Sequence, residues 1–166
     1  RGTAVHGLLE HLPDAPAQAR AALAARLLDR LAPEADAAAR AAMLAQAQAA
    51  MALPEAAAAF APHALAEVAL SAELPGLGRV SGRIDRLSVG PERVLAVDFK
   101  TDAAPPPDAA GTPEAYLLQM AAYDAALRAL YPDRIVAVAL LWTAAPRLDV
   151  LGPALLSAAL ARRGAS

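Results

Sequence analysis

The stretch Ser81–Thr101, SGRIDRLSVGPERVLAVDFKT, reads as two strands of a β-hairpin, yet Arg83, Asp85, Asp98 and Lys100 interrupt its apolar pattern. Successive strand side chains alternate, so Val94, Ala96, Asp98 and Lys100 share one face while Leu95, Val97, Phe99 and Thr101 share the other. Asp98 and Lys100 are then neighbours roughly 7 Å apart at the strand's end. The loop Gly90-Pro91-Glu92-Arg93, with proline second, suits a type I turn that closes the hairpin at Val89 and Val94. That register sets Asp85 opposite Asp98 and Arg83 opposite Lys100, with facing Cβ atoms about 5 Å apart. Two carboxylates so placed need a cation between them, or one must take up a proton. A hard divalent ion with oxygen ligands meets that need, with a lysine beside it. Taken alone, an Asp-x-Lys on a strand also reads as a surface ion pair. The facing Gly82-x-x-Asp85 shifts the balance toward a metal site.

The elements that must position these residues follow from the rest of the chain. Its 166 residues suffice for one domain with a real core, and at 57% hydrophobic, 4% aromatic and 19% charged it is built on Ala and Leu rather than rings. The absence of cysteine excludes disulfides, thiolate zinc sites, iron–sulfur clusters and cysteine nucleophiles. A net charge of −2 and a pI near 5.9 argue against a free-standing protein that grips DNA by bulk charge. They leave room for a small basic groove, or for a module to which a neighbour delivers DNA. No apolar run approaches the ~18 residues of a membrane span and no signal peptide opens the chain, so a cytoplasmic location is expected. The start at Arg1 suggests a piece of a longer protein.

Residues 1–62 read as helical and 63–166 as an α/β core. Val5, Leu8, Leu9 and Leu12 fall at i, i+3, i+4 and i+7 of a helix over Gly2–Leu12. Further helices are expected over Ala17–Leu31, Pro33–Met51 and Pro54–Phe60, the second with Pro33 in its first turn. Leu65–Ala72, Arg79–Val89, Val94–Thr101 and Ile135–Trp142 read as strands, with turns at Pro75-Gly76 and Gly90-Pro91. Asp102–Gly111 is a loop, and Thr112 is expected to cap a helix reaching about Leu130. A last helix covers Pro153–Arg162. The order predicts helices packed on a mixed sheet.

Four short motifs then occur in order. They are Gly2-x-x-x-His6-x-x-Leu9, Gly82-Arg83-Ile84-Asp85-Arg86-Leu87, Val97-Asp98-Phe99-Lys100-Thr101, and the Gln119-x-x-x-Tyr123 helix. Together they resemble the RecB-like nucleases of the PD-(D/E)XK superfamily, within which the likeness is greatest to the C-terminal nuclease domain of AddA-type helicase–nuclease subunits. The lack of cysteine fits AddA rather than its AddB partner, whose nuclease domain carries a cysteine-ligated iron–sulfur cluster. The resemblance implies a restriction-endonuclease-like fold and a DNA exonuclease that resects broken ends beside a helicase and an AddB-type subunit. A stand-alone RecB-like exonuclease and an inactive nuclease-fold scaffold are the rival readings. It also implies that His6, Asp85, Asp98 and the Phe99 carbonyl hold Mg²⁺, with Mn²⁺ or Ca²⁺ able to substitute in binding, and that Lys100 is the catalytic lysine.

By the same resemblance Gln119 and Tyr123 face the active site and place the DNA strand, joined by Tyr116 one turn earlier. Ordinary packing with Met120, Leu127 and Leu130 would give the same stripe. Arg83 and Arg86 are further phosphate candidates. Glu67, in the first strand, resembles an acidic residue often found before the Gly-x-x-Asp strand, and Glu10 lies one turn from His6. Both are candidate site residues, and both also read as solvated or edge charges. The sequence names no partner for His11 or His63.

Overall fold

Val5, Leu8, Leu9 and Leu12 recur at helical spacing, and in the computed structural model, which describes residues 1–74 and 78–164, all four are buried on or just after α1 (Gly2–His11). A 3-10 turn at Ala17–Ala19 leads into α2 (Arg20–Leu31), followed by α3 (Ala37–Met51) and a 3-10 segment at Pro54–Phe60. Helix α3 starts four residues later than Pro33 suggests. Asp36 caps it, accepting from the Ala39 amide at 2.8 Å, and a helix begins after its side-chain cap.

The described strands form one sheet in the order β1 (Leu65–Leu74), β2 (Gly78–Val89), β3 (Arg93–Lys100), β4 (Ile135–Trp142), β5 (Arg147–Val150). Neighbours are antiparallel except β3 and β4, which run parallel across a connection carrying α4 (Glu114–Leu130). Strand β5 was not expected. Its four residues include Arg147 and Asp149, so no apolar run marks it, and it pairs only as an edge. Helix α5 (Pro153–Gly164) closes the described chain. The turn expected at Pro75-Gly76 lies outside the described residues. Thr112 does not cap α4, because Pro113 occupies the position next to the first helical residue.

The sheet separates two cores. On one side Val94, Ala96, Val138, Leu140 and Trp142 pack with Leu117, Met120 and Leu127 of α4 and Leu156 of α5. On the other, Val97, Phe99, Ala139 and Leu141 pack against α1, α2 and α3. The alternation expected along β3 therefore holds, and β4 is buried on both faces, as a near-continuous apolar run requires. Among the described residues no helix is long and apolar enough to cross a membrane.

The hairpin closes at Val89 and Val94, in the expected register, but pairing ends at Arg86 and Val97, one rung before Asp85 and Asp98. By the alternation of antiparallel ladders the next bond would join the Phe99 amide to the Ile84 carbonyl. Instead that amide donates to Asp85 Oδ2 at 2.6 Å. The β1–β2 ladder is also interrupted at this level, between the Ala66–Arg86 and Val68–Ile84 rungs. Glu67, in the gap, has φ of 53°, a left-handed conformation that costs a non-glycine residue on the order of 1–3 kcal/mol. Ile84 packs toward α4 while Arg86 reaches α1 on the other side, although residues two apart in a regular strand share a face. The pleat is broken where the acidic residues stand.

Asp36→Ala should lower stability by about 1 kcal/mol, the usual loss for an acidic N-cap. Denaturant melts with an unchanged midpoint would mean that α3 does not depend on this cap.

Candidate active site

The broken rungs bring side chains from four elements together. His6 Nε2 on α1 lies 3.1 Å from Asp85 Oδ1 on β2 and 3.9 Å from Glu67 Oε1 on β1. Among the described residues, ligand atoms of His6, Glu10 and Glu67 all lie within 4.8 Å of one another. On β3, Asp98 Oδ2 pairs with Lys100 Nζ at 2.7 Å. This is not the surface pair that Asp-x-Lys alone allows, since the side chains are only 7% and 11% exposed.

Helix α4 completes the site. Gln119 accepts from Lys100 Nζ at 3.1 Å through Oε1 and donates from Nε2 to Asp98 Oδ1 at 3.0 Å and to the Tyr123 hydroxyl at 3.1 Å. Both partners fix its amide: oxygen toward the ammonium, nitrogen toward the carboxylate. The Lys100 ammonium also stands 3.8 Å from the centre of the Tyr116 ring, a cation–π contact, and the Tyr116 hydroxyl donates to Asp102 at 3.1 Å. Asp102 was not singled out in the sequence. Its only signal was a place two residues beyond Lys100.

Not every candidate stands where the sequence suggests. Tyr123 is buried, and its hydroxyl donates to the Arg83 carbonyl at 3.0 Å and accepts from the Arg83 amide at 3.1 Å, so it binds β2 to α4. Arg83 does not face Lys100 across a ladder. The pairing has ended, and its exposed guanidinium lies 3.3 Å from Glu67 Oε2. Together Arg79, Arg83, Gln119 and Tyr123 line an open groove of about 650 Å³ beside the site. Arg86 is no phosphate ligand. It is fully buried and spends its guanidinium on α1. His11 lies 3.5 Å from Glu10, and His63 lies 3.2 Å from the Ser88 hydroxyl.

The donor set suits a hard divalent cation: one imidazole nitrogen and several carboxylate oxygens. Glu67 Oε1 is buried with no hydrogen-bond partner, yet it sits within the group formed with His6 and Glu10. A buried carboxylate oxygen left in that state is costly unless a cation completes it. The protonation states carry the same mark. The hydrogen bond to Asp85 raises the His6 pKa, partly opposed by desolvation, with the charges of Asp85, Glu67 and Glu10 adding to the rise. Burial raises that of Asp98, and the Asp85 charge adds to it, against the pull of Lys100.

These directions set a pH dependence. In EDTA, His6⁺ stabilises the fold fully below its unfolded pKa near 6.5, and that stability is lost as pH rises through the higher folded value. Asp98 works in the same sense: its penalty for ionising when folded is absent below about 3.9 and complete above its raised folded value. The metal-free protein should therefore melt lower at pH 8.5 than at pH 6. Divalent-ion affinity should move oppositely, gaining up to about tenfold per pH unit while His6 loses its proton. Calorimetric Mn²⁺ titrations showing equal affinity at both pH values would contradict a proton–metal exchange at His6. Glu67→Gly, which accepts a positive φ, should raise stability in EDTA by up to about 1 kcal/mol while weakening Mn²⁺ binding. A loss of stability in EDTA would show that Glu67 is not held under strain.

The sequence pattern of the PD-(D/E)XK nuclease superfamily matches residues 1–157. No curated protein matches the chain significantly. Among solved structures, a chain from Eubacterium rectale named "Putative exonuclease" superposes with a TM-score of 0.51 at 16% identity, over 87% of this chain and 60% of that one. The present chain thus spans less than two thirds of that relative's length. A second solved structure, SSO0001, aligns at 14% identity over 95% of this chain and 72% of the other, with a TM-score of 0.38. The superposition on the first agrees in fold with a five-stranded mixed sheet flanked by helices. With the family's pattern running through nearly the whole of that fold, the chain belongs to the PD-(D/E)XK nuclease superfamily.

Proposed function

We propose that this chain is a divalent-metal-dependent deoxyribonuclease of exonuclease type, which resects DNA ends delivered by a helicase in an AddAB-type double-strand-break repair complex. One observation carries the reading. His6, Glu67 and Asp85 converge on one point, beside a buried Asp98–Lys100 pair held by Gln119.

Each residue has a task in phosphodiester hydrolysis. His6, Asp85, Asp98 and the Phe99 carbonyl would hold the ion, with Glu67 and Glu10 within reach of the same place. When bound, a divalent ion supplies a water of lowered pKa and offsets charge on the phosphoryl oxygens. Lys100 offers the scissile phosphate a compact cation. Its ammonium is already oriented by Asp98, Gln119 and the Tyr116 face, so little reorganisation is needed when charge develops on phosphorus. Arg79 and Arg83, along the open groove, suit the phosphates of an incoming strand, where contacts fix register without reading sequence. A net charge of −2 gives the domain little long-range pull on DNA, which fits delivery by a partner.

Cleavage of single-stranded DNA should require Mg²⁺ or Mn²⁺ and stop in EDTA; robust cutting in metal-free buffer would sink the mechanism. Lys100→Ala should lower kcat by about 10²–10³, the usual loss of a charge-stabilising donor, with Mn²⁺ affinity nearly unchanged. A collapse of Mn²⁺ affinity in that variant would move Lys100 from phosphate chemistry to ligand support. Asp98→Asn should melt no lower than the parent in EDTA, because it removes a carboxylate that repels Asp85. It should also lose most of the stabilisation that Mg²⁺ gives the parent, roughly 2.7 kcal/mol at a hundredfold excess over Kd.

A further inference from the structure

We propose that Arg86 is a positioning residue that sets the spacing between the metal ligands of α1 and those of β2, an inference that rests on the metal-dependent reading above. Arg86 is 0% exposed and has no route to a substrate. Its Nη2 donates to the Leu9 carbonyl at 3.1 Å and the Glu10 carbonyl at 2.7 Å, while Nη1 reaches both Asp14 oxygens at 3.2 and 3.3 Å. Leu9 and Glu10 lie in the last turn of α1, where carbonyls lack intrahelical partners and a cation is favoured. A buried guanidinium is a costly way to fill space, since an apolar side chain would pack there without desolvating a charge.

What the charge achieves is closure of a ring. Arg86 adjoins Asp85 in β2, and the carbonyls it grips lie one turn beyond His6 in α1. His6 and Asp85 then meet at 3.1 Å on the other side of that ring. A second path joins the same ends through aromatic contacts. The Arg86 guanidinium lies 5.8 Å from the Phe60 ring centre, Phe60 stacks on Phe99 at 6.0 Å, and Phe99 meets the His6 ring edge at 5.4 Å. Arg86 still pairs with Val97 and shares its α1-facing side, and beyond the broken rung it is Ile84 that turns toward α4. Without the clamp, only apolar packing holds α1 against the sheet, and His6 and Glu10 can shift together against Asp85 and Glu67.

The test is Mn²⁺ calorimetry on the intact protein, with Arg86→Met compared against Leu127→Ala, a core truncation on the opposite side of the sheet. Asp14 is half exposed, so its charge remains solvated in Arg86→Met. Arg86→Met should raise the Mn²⁺ Kd about 10- to 100-fold, the range found when groups supporting metal ligands are removed. Leu127→Ala should lower Tm but keep Kd within about threefold of the parent, as expected of distant sites. A folded Arg86→Met with the parental Kd overturns the proposal. So does an equal loss of Mn²⁺ affinity in Leu127→Ala, which would mark general loosening. Should Arg86→Met fail to fold, Asp14→Ala decides: a raised Kd supports the clamp and a parental Kd refutes it. A parent that binds no Mn²⁺ sinks the metal reading and this inference together. A parent that binds Mn²⁺ in an Arg86-dependent way but cuts no DNA sinks only the nuclease activity.

Discussion

Glu67, Asp85 and Asp98 stand at the same level of three adjacent strands, and their mutual repulsion in a half-buried setting is the constraint the rest of the structure answers. Like charges facing each other across a ladder are destabilising, and burial makes each carboxylate more expensive. The sheet meets this by ceasing to be a regular sheet at that level. The β1–β2 ladder loses a rung, the β2–β3 ladder ends, Glu67 adopts a positive φ, and Asp85 takes over the Phe99 amide from the backbone. The remaining charge is met by His6 of α1 for Asp85 and, for Asp98, by Lys100 of β3 itself, held in place by Gln119 of α4.

That division explains why helices on both sides of the sheet contribute. From one side α1 brings His6 and Glu10; from the other α4 brings Gln119, which holds the lysine and the aspartate at once. The approach of α4 depends on Gly82. A Cβ there would fall 2.5 Å from the Tyr123 hydroxyl, closer than packing allows, so any larger residue would push α4 away from β2. Tyr123 then satisfies both backbone groups of Arg83 where the pairing with β3 has lapsed. The glycine of Gly82-x-x-Asp85 and the tyrosine of Gln119-x-x-x-Tyr123 are thus two halves of one contact.

A cation therefore has two roles open to it here. It would offset the burial and the Asp85 charge that raise the Asp98 pKa, and it would complete the Glu67 oxygen that lacks a hydrogen bond. Ion binding would couple to fold stability through the same carboxylates, because groups that cost free energy when bare repay it when liganded. The superfamily assignment is consistent with this, as its nucleases work with divalent metals.

Much of this was legible in the sequence. Period-2 alternation placed Asp98 and Lys100 on one face of β3, the Gly90-Pro91 turn fixed the register of β2 and β3, and helical spacing put Gln119 beside Tyr123. These are local rules, in which each residue's direction follows from its immediate neighbours. The same rules failed at Asp85. Regular alternation sends Ile84 and Arg86 to one face, with Val97 and Phe99. In the fold Arg86 keeps that face and reaches the end of α1, while beyond the broken rung Ile84 turns to α4. Nor could spacing show that Glu67 is strained, that Phe60 links Arg86 to Phe99, or that four residues alternating charged and apolar would add β5. Each of these depends on a partner outside the segment itself, β4 for β5 and more distant elements for the others. Sequence determined which residues carry the charge and set Lys100 beside Asp98; only the packing of α1 and α4 on opposite faces of the sheet decided that His6 meets Asp85 and that Gln119 holds the Asp98–Lys100 pair, because those contacts are made by distance in space and not by order along the chain.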